Sequence, residues 1–162
     1  MQTVVQRVSQ AKVTVHGEVV GEIGRGILAL AAVAGDDDRR DLEWTAQKLV
    51  SLRIFPHEDK AFDRDVREIG GSVLLVSNFT VAADARKGRR PSFDPAAPPN
   101  LAEGMFAEFV EIVRATGVAV ATGKFAADML VSLVNDGPAT FVLDSRLTVQ
   151  PRKPIRSADT TG

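Results

Sequence analysis

The chain has no cysteine among its 162 residues, so disulfides, thiolate metal sites and a cysteine nucleophile are all excluded. Histidine is scarce, with only His16 and His57. The first falls in a His16-Gly17 turn and the second beside Pro56 among charges. Neither is placed as a general base, which must reach the proton it takes. No apolar run approaches the roughly 18 to 20 residues of a membrane span, and the opening MQTVVQRVSQ alternates instead of building a signal-peptide core. A cytoplasmic chain without membrane contact is the expectation. Charge of one sign is lacking too: 20 basic and 21 acidic residues leave a net charge of −1, so nucleic-acid binding requires a local patch. Phosphate-cradling GxGxxG and GxxxxGK[ST] runs are absent. Asp36, Asp37, Asp38, Asp63 and Asp65 lack the glycine and closing glutamate of a calcium loop and read as a helix cap and a charged loop. Neither metal nor cofactor is expected.

What is present is 44% hydrophobic residues, enough for one domain with its own core. Val4, Val5, Val8, Val13 and Val15 alternate with polar residues, turn at His16-Gly17 and return through Glu18 to Ile23, a hairpin pattern. The run Ile27 to Ala34 is apolar on both faces and predicts a central strand. Asp36 to Asp38 offer N-caps to a helix with Leu42, Ala46, Leu49 and Val50 on one face, running to about Leu52. Arg53 to Ile69 reads as short strands and loop. Gly70-Gly71 opens a strand, SVLLVSNFTV, over 72 to 81. After a loop from Asp84, the pair Asn100 and Glu103 predicts a capping box for a second helix. Its buried face is Leu101, Met105, Phe106, Phe109, Val110, Ile112 and Val113, and Gly117 stops it.

Val131 to Leu143, VSLVNDGPATFVL, reads as strand, tight turn at Asn135-Asp136-Gly137-Pro138, and returning strand. Pro138 has no N–H and Gly137 tolerates strained backbone, so this corner presents bare carbonyls. The fold class is α/β, a mixed and largely antiparallel sheet with two main helices on one face. The domain spans 1–147, and 148–162, poor in apolar residues, reads as a flexible tail.

Two motifs carry a resemblance. SNFTV at 77–81 and NDGPAT at 135–140 resemble SQFTL and NxGPxT, the paired signatures of the D-aminoacyl-tRNA deacylases. QRV at 6–8, GEVVGEIGRGIL at 17–28, RIF at 53–55, GGSVLLVS at 70–77, RPSF at 90–93 and TGKFAADM at 122–129 are similar to that family in its order. Coverage runs from Met1 to about Ser145. The chain departs at Asn78, where the family has glutamine, at Val81, where it has leucine, and in an added tail from about Arg146.

The resemblance implies a homodimer, with its active site at the subunit interface, that hydrolyses D-aminoacyl-tRNA and glycyl-tRNA in chiral proofreading. Ser77, Asn78, Phe79 and Thr80 become the catalytic candidates, with the Phe79 and Thr80 amides as oxyanion donors. Thr80 is either a nucleophile or a hydrogen-bonding positioner, while the ribose 2′-hydroxyl assists the attacking water. The family's Gly-Pro bond is cis and enters the partner's site. Carried over, the Gly137 and Pro138 carbonyls would hold the substrate ammonium and leave no room for an L side chain, with Asn135, Arg7 and Phe125 supporting or lining the pocket. Arg86, Lys87, Arg89 and Arg90 form the local basic patch, either an RNA-phosphate grip or a solvated loop. A non-catalytic RNA-binding module on the same fold is the rival reading, supported by Asn78 alone.

Overall fold

The computed structural model describes Met1–Thr148, and residues 149–162 of the expected tail lie outside the described residues. Its sheet is built on β1 (Gln2–Val15), which pairs antiparallel with β2 (Glu18–Ile23), β3 (Gly26–Ala32) and β8 (Leu130–Asp144). β8 follows β1 along nearly its whole length, so β3 and β2 share the opposite edge. Beyond β3 the sheet continues in parallel through β6 (Ser72–Ser77) and β7 (Ala119–Thr122). A separate two-stranded ribbon joins β4 (Phe55–His57) and β5 (Lys60–Arg64). The expected mixed sheet, with the His16-Gly17 hairpin and a central β3, is what forms.

The sheet separates two cores. On β3, Ile27, Ala29 and Ala31 face the helices while Leu28 faces the other side; on β6, Val73 and Leu75 oppose Leu74 and Val76. Both strands are therefore covered on both faces, which is why their sequences do not alternate in polarity. β1 serves both cores, Val5 and Val8 by ordinary alternation and the residues beyond Ser9 through a one-residue slip. Val8 lies opposite Asn135 and Gln10 opposite Val134, so Ser9 is an extra residue on β1. That bulge sends Ala11, Val13 and Val15 into the same core as Val8, since a shift of one residue reverses every side chain after it.

Helix α1 (Arg39–Ser51) begins at Asp38, whose carboxylate and that of Asp41 complete a reciprocal capping box, and buries Leu42, Ala46, Leu49 and Val50 as the sequence predicts. Helix α2 (Pro99–Arg114) packs beside it and buries Phe106, Phe109, Val110 and Val113. The expected Asn100–Glu103 capping box does not form. Pro98 and Pro99 start the helix two residues earlier, because proline at the first helical position gives up an N–H that has no partner there anyway. Leu101, expected in the core, is exposed. Gly117 follows the helix at φ +86°, a conformation that favours glycine. The end of β8 is tied to α1 where the Ser145 hydroxyl donates to Asp41 Oδ1 at 2.6 Å. Among the described residues, no helix is long and apolar enough to cross a membrane.

The Val131–Leu143 hairpin expected from the sequence is not a hairpin. β8 is one strand, and both halves pair antiparallel with β1. Asn135 stands opposite Val8 and Thr140 opposite Gln6, so Asp136–Ala139 bulge outward against the single residue Arg7. A turn would have reversed the chain; here both halves keep the same partner, and the surplus residues are extruded.

Candidate functional site

β6 ends at Ser77, earlier than expected, because the next residue redirects the chain. The Asn78 amide donates to the Ala31 carbonyl at 2.8 Å, and its side chain then caps a short 3₁₀ turn over Phe79–Ala82. Asn78 Oδ1 accepts the Thr80 amide at 3.2 Å and the Thr80 hydroxyl at 2.5 Å. This is the local Asx geometry to which a short carboxamide is suited. Of the two amides expected as oxyanion donors, Thr80's is thus engaged, while Phe79's finds no partner among the described residues. The Thr80 hydroxyl gives its hydrogen to an amide oxygen, which cannot serve as a base, and presents its lone pairs outward.

Ser77, Asn78, Phe79 and Thr80 lie together in a groove of about 1120 Å³, larger than the common range for small-ligand pockets. Leu30 and Val76 come from the sheet, Ala102 and Phe106 from α2, and Phe125 and Met129 from the segment before β8. Phe125 is half-buried against Phe106, ring centres 6.3 Å apart, on a wall of the groove. At the mouth Phe79 and Phe93 meet edge to face at 5.2 Å, 57% and 44% exposed. Two carboxylates, Asp94 and Asp128, add polarity to an otherwise apolar lining. Neither histidine borders the groove: His16 lies in the β1–β2 turn, and His57 pairs with Asp63 at 3.4 Å on the β4–β5 ribbon. Among the described residues, no group of three metal-ligating side chains comes together.

The remaining expected site residues form a second constellation outside this groove. The Gly137-Pro138 peptide bond is cis, and both residues are exposed. Asn135 closes the bulge from within: its Oδ1 accepts the Ala139 amide at 2.7 Å and its Nδ2 donates to Thr140 Oγ1 at 2.8 Å. Those bonds give Asn135 and Thr140 of the motif a structural task. Arg7 clamps the bulge to the ribbon, donating from Nε to the Asp136 carbonyl at 2.7 Å and from Nη1 to the Ile54 carbonyl at 2.6 Å. Its guanidinium lies 5.6 Å from the centre of the Phe62 ring, which adds a cation–π contact. Gly137, at φ +143°, has no space for a side chain. A Cβ there would stand 2.8 Å from Arg7 Nη2 and 2.9 Å from the Ala139 nitrogen.

The basic patch divides. Asp84 and Ser92 exchange two backbone hydrogen bonds, 2.8 and 2.9 Å, that close the loop carrying the cations. Within it Arg86 donates twice to the Asp84 carboxylate, at 2.9 and 2.6 Å, which holds that carboxyl well below its usual range. Lys87, Arg89 and Arg90 are exposed and enter none of the ion pairs among the described residues. Sequence alone does not mark Phe93, Phe106, Met129 or Phe62 as belonging to either constellation. Phe93 ends the RPSF run, but only folding brings it against Phe79.

The family model of D-Tyr-tRNA(Tyr) deacylase matches residues 4–144. A D-aminoacyl-tRNA deacylase of Pelobacter propionicus is 55% identical over 144 residues, covering 89% of this chain and 99% of that protein. One of Thermotoga petrophila is 51% identical, covering 90% and 97%. Among solved structures, the c-Myc DNA unwinding element binding protein superposes with a TM-score of 0.84 at 39% identity, covering 89% of this chain and 98% of that one. A probable eukaryotic D-amino acid tRNA deacylase shares the fold at 18% identity and a TM-score of 0.75, covering 88% and 97%. With the family model spanning most of its length and relatives above half identity, the chain belongs to the D-Tyr-tRNA(Tyr) deacylase family, hydrolases that act on aminoacyl-tRNA.

Proposed function

We propose that this protein hydrolyses the ester joining a D-amino acid, or glycine, to the 3′-terminal adenosine of tRNA, as a cytoplasmic proofreading step requiring no cofactor. It does so as a homodimer in which the Gly137-Pro138 corner of each chain enters the groove of the other. One observation carries the reading: the Ser77–Thr80 turn lies in a groove that Gly137 and Pro138 of the same chain do not line, while that corner stands exposed and clamped by Arg7. The dimer also accounts for β8, which among the described residues has β1 as its single partner strand and leaves Leu130 73%, Val142 70% and Val134 48% exposed.

An aminoacyl ester is already activated, so a placed water and a stabilised oxyanion can carry its hydrolysis. The Phe79 amide polarises the ester carbonyl. Thr80, its hydrogen committed to Asn78, accepts a hydrogen bond from the attacking water or from the substrate's 2′-hydroxyl, which takes part as the proton relay. The Gly137 and Pro138 carbonyls accept from the substrate ammonium, and their closeness excludes a side chain of L configuration. Main-chain atoms cannot swing aside as a rotamer can, so the filter is steric.

The test uses one amino acid in both configurations on the same tRNA, following ester loss with time. Rapid loss of the D ester with the L ester at its background rate is expected, and equal rates or none would overturn the reading. A non-catalytic RNA-binding module draws support from one observation, the Thr80 amide already taken by Asn78. Binding without ester loss in the same assay would establish it.

A further inference from the structure

The Phe79–Phe93 pair is unusual for where it lies. Two phenylalanines, each about half exposed, meet edge to face at the mouth of the groove instead of within a core. Phe79 precedes Thr80, so the pair adjoins the proposed site of ester cleavage. Phe93 directly follows the Asp84–Ser92 bridge that closes the cation loop, and Ala97 and Gly35 pin the next residues across the end of β3. An aromatic platform and a cation loop are therefore joined by one short, bonded stretch.

Aromatic faces beside exposed cations are how proteins hold single-stranded nucleic acid: every base has a face to stack, and the cations take the backbone. We infer that Phe79 and Phe93 form a stacking platform for the unpaired cytidines immediately 5′ of the terminal adenosine, with Lys87, Arg89 and Arg90 on the adjoining phosphates. Arg86 stands apart, its charge taken up by Asp84. This rests on the deacylase reading and adds to it. The substrate is gripped beyond the nucleoside that carries the ester, through an apolar surface without base-edge readout, so the grip suits the common single-stranded end of every tRNA.

The test compares D-alanyl esters of adenosine and of the trinucleotide CCA, with unesterified CCA and adenosine titrated calorimetrically alongside. The trinucleotide ester should exceed the adenosine ester in kcat/KM by roughly 5- to 150-fold, the yield of about one stacked base, and the gain should lie in KM. Phe93→Leu keeps apolar bulk but loses the flat face and should erase most of that advantage, while Phe93→Trp should keep it. An advantage unchanged in Phe93→Leu, or a loss equal on both esters, would sink the platform, the latter because Phe93 would then merely shape the groove. Should neither ester be cleaved, the deacylase reading fails on its own. CCA binding that weakens in Phe93→Leu would then still support the platform, and CCA bound no tighter than adenosine would overturn it.

Discussion

The turn after β6 and the bulge in β8 solve one problem, presenting main chain at a strand, in opposite ways. Residues 78–80 are stitched locally by side chain, Asn78 reaching two residues ahead, and anchored at one point where the Asn78 amide bonds to the Ala31 carbonyl. Residues 136–139 are stitched locally by Asn135 but held in place by Arg7 and, through it, the Ile54 carbonyl. The first region lines a groove and the second stands exposed beyond it. A local cap places a side chain, whereas a long-range clamp fixes backbone, which is what a steric filter requires.

The comparison breaks most sharply under paired substitutions. Thr80→Val removes the hydroxyl without changing volume, and Gly137→Ala puts a Cβ against the Ala139 nitrogen at a backbone angle hostile to side chains. Each variant should lose about 10²-fold or more in D-ester turnover, the scale of a lost oxyanion-type contact. Subunit exchange between the two variants should restore turnover, because one groove then meets one sound corner. No recovery after exchange verified by mass spectrometry would show that groove and corner act within one chain.

Removing the local cap should matter less. Asn78→Ala frees the Thr80 amide and hydroxyl and should lower kcat about tenfold, the equivalent of one hydrogen bond, with KM little moved. An equal change in KM would mean that Asn78 touches the substrate instead of orienting Thr80.

Charge effects come next. Replacing Lys87, Arg89 and Arg90 with alanine should flatten the salt dependence of tRNA binding by about 2 in log–log slope, at about 0.7 per cation on single strands. The D-over-L ratio should stay put, since the Gly137-Pro138 corner proposed as the chiral filter is elsewhere. At the end of β8, the Arg146 side chain holds the Asp144 carboxyl down to about 2. A depressed carboxyl stabilises the fold above its unfolded value near 4 and loses that contribution as pH falls toward 2. The melting-temperature gap between the parent and Asp144→Asn should therefore narrow across that window. The smallest effect belongs to the histidines. With His16 and His57 both outside the groove, the double alanine variant should cleave within a few-fold of the parent, whereas a hundredfold loss would indicate a general base.

Much of the fold was legible because periodicity reports burial. The one-faced apolar pattern of α1 and the two-faced run of β3 each have one compact solution. The turn of Asn78 was less so, since SVLLVSNFTV reads as strand to its end and only the carboxamide's reach to Thr80 stops it. The capping box of α2 failed for a related reason: Pro98-Pro99 pre-set the helix start more strongly than Asn100 and Glu103 could move it.

By itself the sequence determined the family, the absence of thiol chemistry, the two helices, and the grouping of Ser77, Asn78, Phe79 and Thr80. All of these rest on residue type and local spacing. Tertiary structure decided the rest. Whether Asn135-Asp136-Gly137-Pro138 reverses the chain or bulges from it depends on which strand Phe141–Leu143 finds, and that is β1, whose Val5 and Val4 lie more than a hundred residues away in sequence. Phe79 and Phe93 likewise meet only because residues 93–97 are pinned across the end of β3. Turn-forming residues state that the backbone can bend, and long-range pairing energy decides which way it goes.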